Sequence, residues 1–124
     1  MRDDIIAGRC VLVVEDDYLL AVEMDQALKA VGATVLGPVP SVQAALDVLG
    51  EKTPDAAALD VNLDGETSFT VADTLAADGV PFIFVTGYDH AAIPTCHVTV
   101  RWLAKPVQTS DALRAIGRLF GAAG

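Results

Sequence analysis

Five short apolar stretches, separated by segments whose apolar residues recur every three to four positions, constrain the fold of this chain more than any other feature. The stretches are Cys10–Val14, Thr34–Leu36, Ala56–Asp60, Phe82–Thr86 and Val98–Leu103. Each has the length and near-continuous hydrophobicity of a strand buried on both faces. Between them, Leu20, Met24, Ala27, Leu28 and Val31 mark one face of a helix that Gly32 can end. Val42, Ala45, Leu46 and Leu49 mark a second, with Ser41 as its N-cap and Gly50 as its close. Phe69, Ala72, Leu75 and Ala76 mark a third. The last helix starts near Thr109 or Ser110 and presents Leu113, Ile116, Leu119 and Phe120. Gly117 inside it costs about 1 kcal/mol relative to Ala without breaking the stripe.

Strands alternating with helices form βαβ units, so the expected fold is α/β: a doubly wound, five-stranded parallel sheet with helices on both faces. One connection breaks the pattern. Only Asp89 to His97 separates the fourth and fifth strands, and Pro94 lies inside it. Proline removes a backbone donor and biases its predecessor away from helix, so the fourth helix is expected to be short or irregular.

At 124 residues the chain is expected to form one domain over 1–124, with no output domain after the last helix. Eight basic residues against 17 acidic ones give a net charge of −9. Such a surface repels phosphate backbones, which argues against direct nucleic-acid binding. No apolar run reaches bilayer-spanning length, and the start Met1-Arg2-Asp3-Asp4 lacks the features of a signal peptide. Cys10 and Cys96 are far apart and neither sits in a CxxC, so both are expected to be reduced thiols of a cytoplasmic protein. Cys10, beside an apolar run, reads as a small buried hydrophobe.

In open parallel sheets, ligands gather beyond the carboxyl ends of the strands. The first strand ends on Glu15-Asp16-Asp17. Two such charges about 4 Å apart repel by roughly 4 kcal/mol at an effective dielectric near 20. A hard divalent cation with oxygen ligands offsets that cost; alternatively, one acid caps the following helix and the others are solvated. Asp17 suits the helix start better than the ligand set. The third strand ends on Asp60, followed by Val61-Asn62, the fourth on Thr86-Gly87, and the fifth leads into Lys105-Pro106. An acidic cluster, a separate carboxylate, a hydroxyl and an ammonium therefore meet at one edge of the sheet. Asp64 and Glu66 read as a solvated loop nearby, and nothing about His90 or His97 suggests a metal site.

The run Val13-Val14-Glu15-Asp16, Leu59-Asp60-Val61-Asn62, Val85-Thr86-Gly87 and Lys105-Pro106 resembles the receiver domain of bacterial two-component response regulators, over nearly the whole chain. The resemblance implies a flavodoxin-like strand order of 2-1-3-4-5. It implies Asp60 as the phosphoacceptor. Glu15, Asp16, Asp60 and the backbone carbonyl of Asn62 would be ligands for Mg²⁺ (or Mn²⁺), with Glu15 acting through water. Thr86 and Lys105 would contact the phosphoryl group, and the Lys105–Pro106 bond would be cis. Trp102 stands where relatives carry a Tyr or Phe that switches together with the threonine; a fixed, packed Trp is the equal alternative. Phe84-Val85-Thr86-Gly87-Tyr88 resembles a single-domain branch with a Phe-Ala-Thr-Gly-aromatic signature, from which Val85 departs. There Gly87 would leave room beside the phosphoryl group and Tyr88 would shield it.

These residue types suit the chemistry, because a phosphoryl donor brings dispersed negative charge and catalysis is mostly positioning and neutralisation. Lys105 is a compact cation on a flexible stem, and a Thr86 bond made only after phosphorylation can bias a two-state loop. The implied partners are a sensor histidine kinase or histidine phosphotransfer protein, docking near Tyr18, Leu19 and Val107, and a downstream protein target. Leu19 could equally be core. Beyond its own phosphorylation and slow dephosphorylation, no enzyme activity is expected. Two other readings stay open: a small aspartate-nucleophile phosphatase, which wants a second Asp where Asn62 stands, and a receiver-like binding module that never takes phosphate.

Overall fold

Successive residues of the inner strands face opposite sides of one sheet, and this alternation divides the core in two. The structure, a computed structural model, describes residues 5–87 and 100–121. Its elements run β1 (Cys10–Val14), α1 (Tyr18–Ala30), β2 (Thr34–Val39), α2 (Val42–Glu51), β3 (Ala56–Asp60), β4 (Asn62–Leu63), β5 (Glu66–Thr67), α3 (Phe69–Ala77), β6 (Phe82–Thr86), β7 (Trp102–Ala104) and α4 (Thr109–Phe120). The main sheet has the order β2-β1-β3-β6-β7 with parallel pairing throughout. Counting only its own strands, that is the expected 2-1-3-4-5.

Leu12, Val14, Ala57, Leu59, Phe82 and Phe84 face one layer, where α2 and α3 supply Val42, Ala45, Val71, Ala72 and Leu75. Val11, Val13, Ala58, Ile83 and Val85 face the other, where α1 and α4 supply Leu20, Met24, Leu28, Ala112 and Ile116. Three rings brace the first layer: Phe84 meets Phe82 and Phe69 edge to face at 5.4 and 6.0 Å. Such a sheet favours near-continuous apolar runs in its inner strands, and β3 and β6, apolar up to their polar last residues, are buried from end to end.

Helix ends follow local chemistry. Asp17 caps α1, its Oδ1 accepting the N–H groups of Leu19 and Leu20. At the far end Gly32 has φ +91°, its N–H reaches the Lys29 carbonyl, and the Ala33 N–H reaches that of Leu28. This is a Schellman close, which needs a left-handed residue. Ser41 caps α2 through Ala44.

Several expectations need correction. The second strand continues past Leu36 to Val39, through a register shift opposite Leu12 to Val14 and a cis Gly37–Pro38 bond. The fifth begins at Trp102 and ends at Ala104, so Val100 and Arg101 lie outside it. Gly50 does not close α2, which runs to Glu51 and is capped at Lys52. In α3, Val71 is buried and Ala76 is exposed, because the inward stripe is centred one position away from the one read in the sequence. Asp64 and Glu66 are exposed, as a solvated loop would be, but they belong to the ordered β4–β5 hairpin. Cys10 is only half-buried; burial nevertheless pushes its thiol above the usual range, with Lys52 opposing and Asp55 adding to the rise. The expected short helix between the fourth and fifth strands, Tyr88, His90, Pro94, Cys96, His97 and the first two residues of the expected fifth strand lie outside the described residues. Among the described residues, no helix is long and apolar enough to cross a membrane.

Candidate functional site

The tips of β1, β3, β6 and β7 are brought level by pairing. Val14 aligns with Leu59, Asp60 with Val85, and Thr86 with Ala104. Residues one step beyond these pairs then share a small volume. One carboxylate oxygen from each of Glu15, Asp16 and Asp60 lies within 4.8 Å of the others. Glu15 and Asp60 are buried, at 5% and 4% exposure, while Asp16 is exposed.

Lys105 joins the acids. Its Nζ donates to Glu15 Oε2 at 2.9 Å and to Asp60 Oδ2 at 3.0 Å. Its backbone N–H donates to the Thr86 carbonyl at 2.8 Å, which extends the β6–β7 ladder by one bond and aims the side chain over the strand ends. The Lys105–Pro106 bond is cis, as the resemblance implies. The Asp17 N–H also donates to Glu15 Oε2, at 3.0 Å, and the Asn62 N–H to Asp60 Oδ1, at 3.2 Å. Asp16 and Asp60 lie along a cavity of about 500 Å³ whose lining also includes Asn62, Asp64, Gly87 and Lys105.

Burial pushes the Asp60 carboxyl up to about 7; the hydrogen bond from Lys105 opposes the rise, and the charge of Glu15 adds to it. Burial lowers the Lys105 ammonium, but its bonds to Glu15 and Asp60 outweigh that, and its proton is held more tightly than an ordinary lysine's. Two carboxylates thus share the Lys105 ammonium, a third stands beside them, and Asp60 holds a proton unusually well. That is a site short of positive charge. Its all-oxygen donor set fits a small, hard divalent cation.

The structure brings together Glu15, Asp16, Asp60, Asn62, Thr86, Gly87 and Lys105. Thr86 is buried at 2% exposure. Trp102, paired in register with Phe84, is 37% exposed. Asp17 serves as the helix cap. Tyr18 and Leu19 are 81% and 65% exposed, which removes Leu19 from the core. Leu19 and Val107 line a neighbouring cavity of about 430 Å³ that also touches Lys105 and Gly87. Sequence reasoning missed the hairpin, whose Asp64 N–H donates to Asp16 Oδ2 at 3.0 Å. The signal was present: Asp64-Gly65 is a favoured two-residue hairpin turn.

Residues 11–116 match the response regulator receiver domain family. The sensory transduction protein LytT of Bacillus subtilis is 31% identical over 100 residues, covering 77% of this chain and 42% of LytT. The solution structure of SdrG from Sphingomonas melonis Fr1 is 35% identical with a TM-score of 0.78, covering 90% of this chain and 95% of that one. The response regulator PhyR from Brucella abortus shares the fold with a TM-score of 0.82 at 20% identity, over 98% of this chain and 51% of PhyR. The chain spans less than half of LytT and about half of that PhyR. It belongs to the receiver domain family of two-component response regulators. Domains of this family are generally signalling modules rather than turnover enzymes, and they bind Mg²⁺ in an acidic pocket of the kind that Glu15, Asp16 and Asp60 form.

Proposed function

We propose that the chain is a response regulator receiver domain that accepts a phosphoryl group on Asp60 from a histidine kinase or a histidine phosphotransfer protein. The observation that carries this reading is Lys105 Nζ within 3.0 Å of a buried Asp60, beside the acids at the end of β1. An oxygen of Asp60 attacks the phosphorus of a phosphoimidazole; the P–N bond breaks as the P–O bond forms, and the imidazole leaves with its electron pair. Glu15, Asp16, Asp60 and the Asn62 carbonyl would hold Mg²⁺ (or Mn²⁺), which when bound supplies positive charge to the phosphoryl oxygens.

Lys105 already donates to Asp60 Oδ2, so a short swing carries its ammonium to a phosphoryl oxygen while the bond to Glu15 anchors it. The Thr86 hydroxyl takes a second phosphoryl oxygen, and Trp102 responds by shifting on the exposed edge of β7. Gly87 leaves the approach open. Tyr18, Leu19 and Val107 supply an apolar contact for the donor protein beside the cavity. Output is binding to a downstream protein or onward phosphate relay, in the cytoplasm.

Intact-mass measurement after incubation with Mg²⁺ and acetyl phosphate tests the reading. A single phosphoryl addition, absent without Mg²⁺ and absent in Asp60→Asn, is expected. An unmodified wild type, or an Asp60→Asn protein labelled equally well, overturns it. Turnover of a generic phosphate ester would instead favour a phosphatase.

A further inference from the structure

Each acid of the cluster already has at least one oxygen engaged by an N–H donor. Glu15 Oε2 accepts from Lys105 Nζ and from the Asp17 N–H. Asp60 accepts at Oδ1 from the Asn62 N–H and at Oδ2 from Lys105. Asp16 is the exposed member, and its Oδ2 is taken by the Asp64 N–H at the tip of the β4–β5 hairpin.

That hairpin is built to hold its tip in place. Asn62 pairs with Thr67 and Leu63 with Glu66. Asp64 and Gly65 have φ values of 52° and 87°, as a two-residue turn with both central residues left-handed requires. The Gly65 N–H donates to Asn62 Oδ1 at 3.2 Å, and the Ser68 N–H closes the base on the Val61 carbonyl at 2.9 Å. Two-stranded hairpins are marginal alone, but Leu63 and Val61 are buried at 2% and 8% exposure and root this one in the core.

We propose that the hairpin sets the cation selectivity of the site by confining Asp16 to one free oxygen. This rests on the reading of the acids as a Mg²⁺ site. Ca²⁺ favours six to eight oxygens and uses both oxygens of a carboxylate, whereas Mg²⁺ takes carboxylates singly in a tight octahedron and keeps several waters. A carboxylate with one oxygen committed to a backbone N–H is a poor chelator for the larger ion and a pre-oriented single ligand for the smaller. The Asp64 side chain is not needed; its backbone N–H and left-handed φ are.

The test compares Mg²⁺ and Ca²⁺ dissociation constants by calorimetry for wild type, Gly65→Val and Gly65→Asn, and for a variant with one Gly inserted after Gly65. Valine is strained at a φ of 87°, while Asn tolerates that region. Loss of slow Asp64 amide exchange by NMR reports that the bond to Asp16 is broken, and metal-free Tm reports that the fold persists. Outer-shell partners of metal ligands typically change affinity about 10–100-fold, and exposure of Asp16 reduces this to roughly 3–10-fold. The expected result in the bond-broken variants is Mg²⁺ binding weakened by that factor with Ca²⁺ binding unchanged or tighter, and recovery of the wild-type ratio in Gly65→Asn. Equal weakening of both ions, or no change in either once the Asp64 amide exchanges freely, overturns the proposal. Failure of wild type to take a phosphoryl group while still discriminating the two ions would sink the phosphorelay reading and leave this one standing. Phosphorylation of wild type with an unaltered ion ratio in the variants does the reverse.

Discussion

Lowering the pH from about 8 to about 6 should weaken Mg²⁺ binding to this domain roughly ten-fold. The Asp60 carboxyl sits at about 7 in the metal-free protein. Its ionised fraction is therefore about 0.9 at the upper pH and about 0.1 at the lower. A cation needs the carboxylate, so binding near neutrality releases a proton. The same shift has a sign for stability. A folded-state value above the ordinary 3.8 means that the native state binds the proton more tightly than the unfolded chain. Stability without metal therefore falls as pH rises from about 4 through about 7, and the loss is complete above that. The full difference is worth roughly 4 kcal/mol. Because the cavity admits water, about half of that is the expected effect. Asp60→Asn should remove the slope and make the metal-free protein more stable than wild type at pH 8. Calorimetric titrations in two buffers of different ionisation enthalpy measure the released proton, and Tm of chelator-treated protein across the pH range measures the slope. A Mg²⁺ affinity that stays flat between these pH values, with no proton released, refutes the reasoning.

Other perturbations separate the site from the scaffold. Lys105→Met leaves two buried carboxylates without their ammonium; we expect a loss of about 3–5 kcal/mol in metal-free denaturant titrations, partly restored by saturating Mg²⁺. Asp17→Ala should cost about 1 kcal/mol of stability through the lost α1 cap while acetyl phosphate labelling survives, and a complete loss of labelling would make Asp17 a ligand after all. Phe84→Ala removes the ring that meets both Phe82 and Phe69 and should cost about 3–5 kcal/mol, enough to leave much of the protein unfolded by circular dichroism at 37 °C. Tyr18→Ala with Leu19→Ala should change Tm by under about 2 °C yet slow phosphotransfer from a histidine donor, while labelling by acetyl phosphate keeps its rate; equal rates from both donors would exclude this surface from docking.

Much of this was legible in the sequence because the inner strands carry two messages at once. Their apolar runs announce a sheet covered on both sides, and the polar residues at their ends, Glu15 just after β1, Asp60 and Thr86, point to a site there. Asp17 and Ser41 were legible as caps because short polar side chains at helix starts satisfy free N–H groups. What was less legible has physical causes too. β2 was legible only as far as Leu36, because Gly37-Pro38 does not signal a strand, yet pairing with β1 carries it to Val39. In α3 both Val71 and Ala76 fit a helical stripe, and only packing against the sheet selects between them. The hairpin was passed over because its strands are two residues long, too short for any periodicity to register. In sequence alone Leu19 stays open between docking contact and core, because an apolar residue in an apolar run does not show which way the helix turns it; the helix turns it outward to water.

The level pairing of β1, β3, β6 and β7 also works as a ruler. Sliding any one of these strands by a single residue would move its tip by about 3.3 Å and exchange the side chains given to the two hydrophobic layers. Neither the interior nor the acidic pocket could then form, so the chain has no route to a well-packed protein with a misassembled pocket. Insertions and deletions within those strands should for that reason be lethal to folding outright, whereas changes in loop length can be absorbed. Evolution within such a domain is left to tune what surrounds the tips, one side chain at a time.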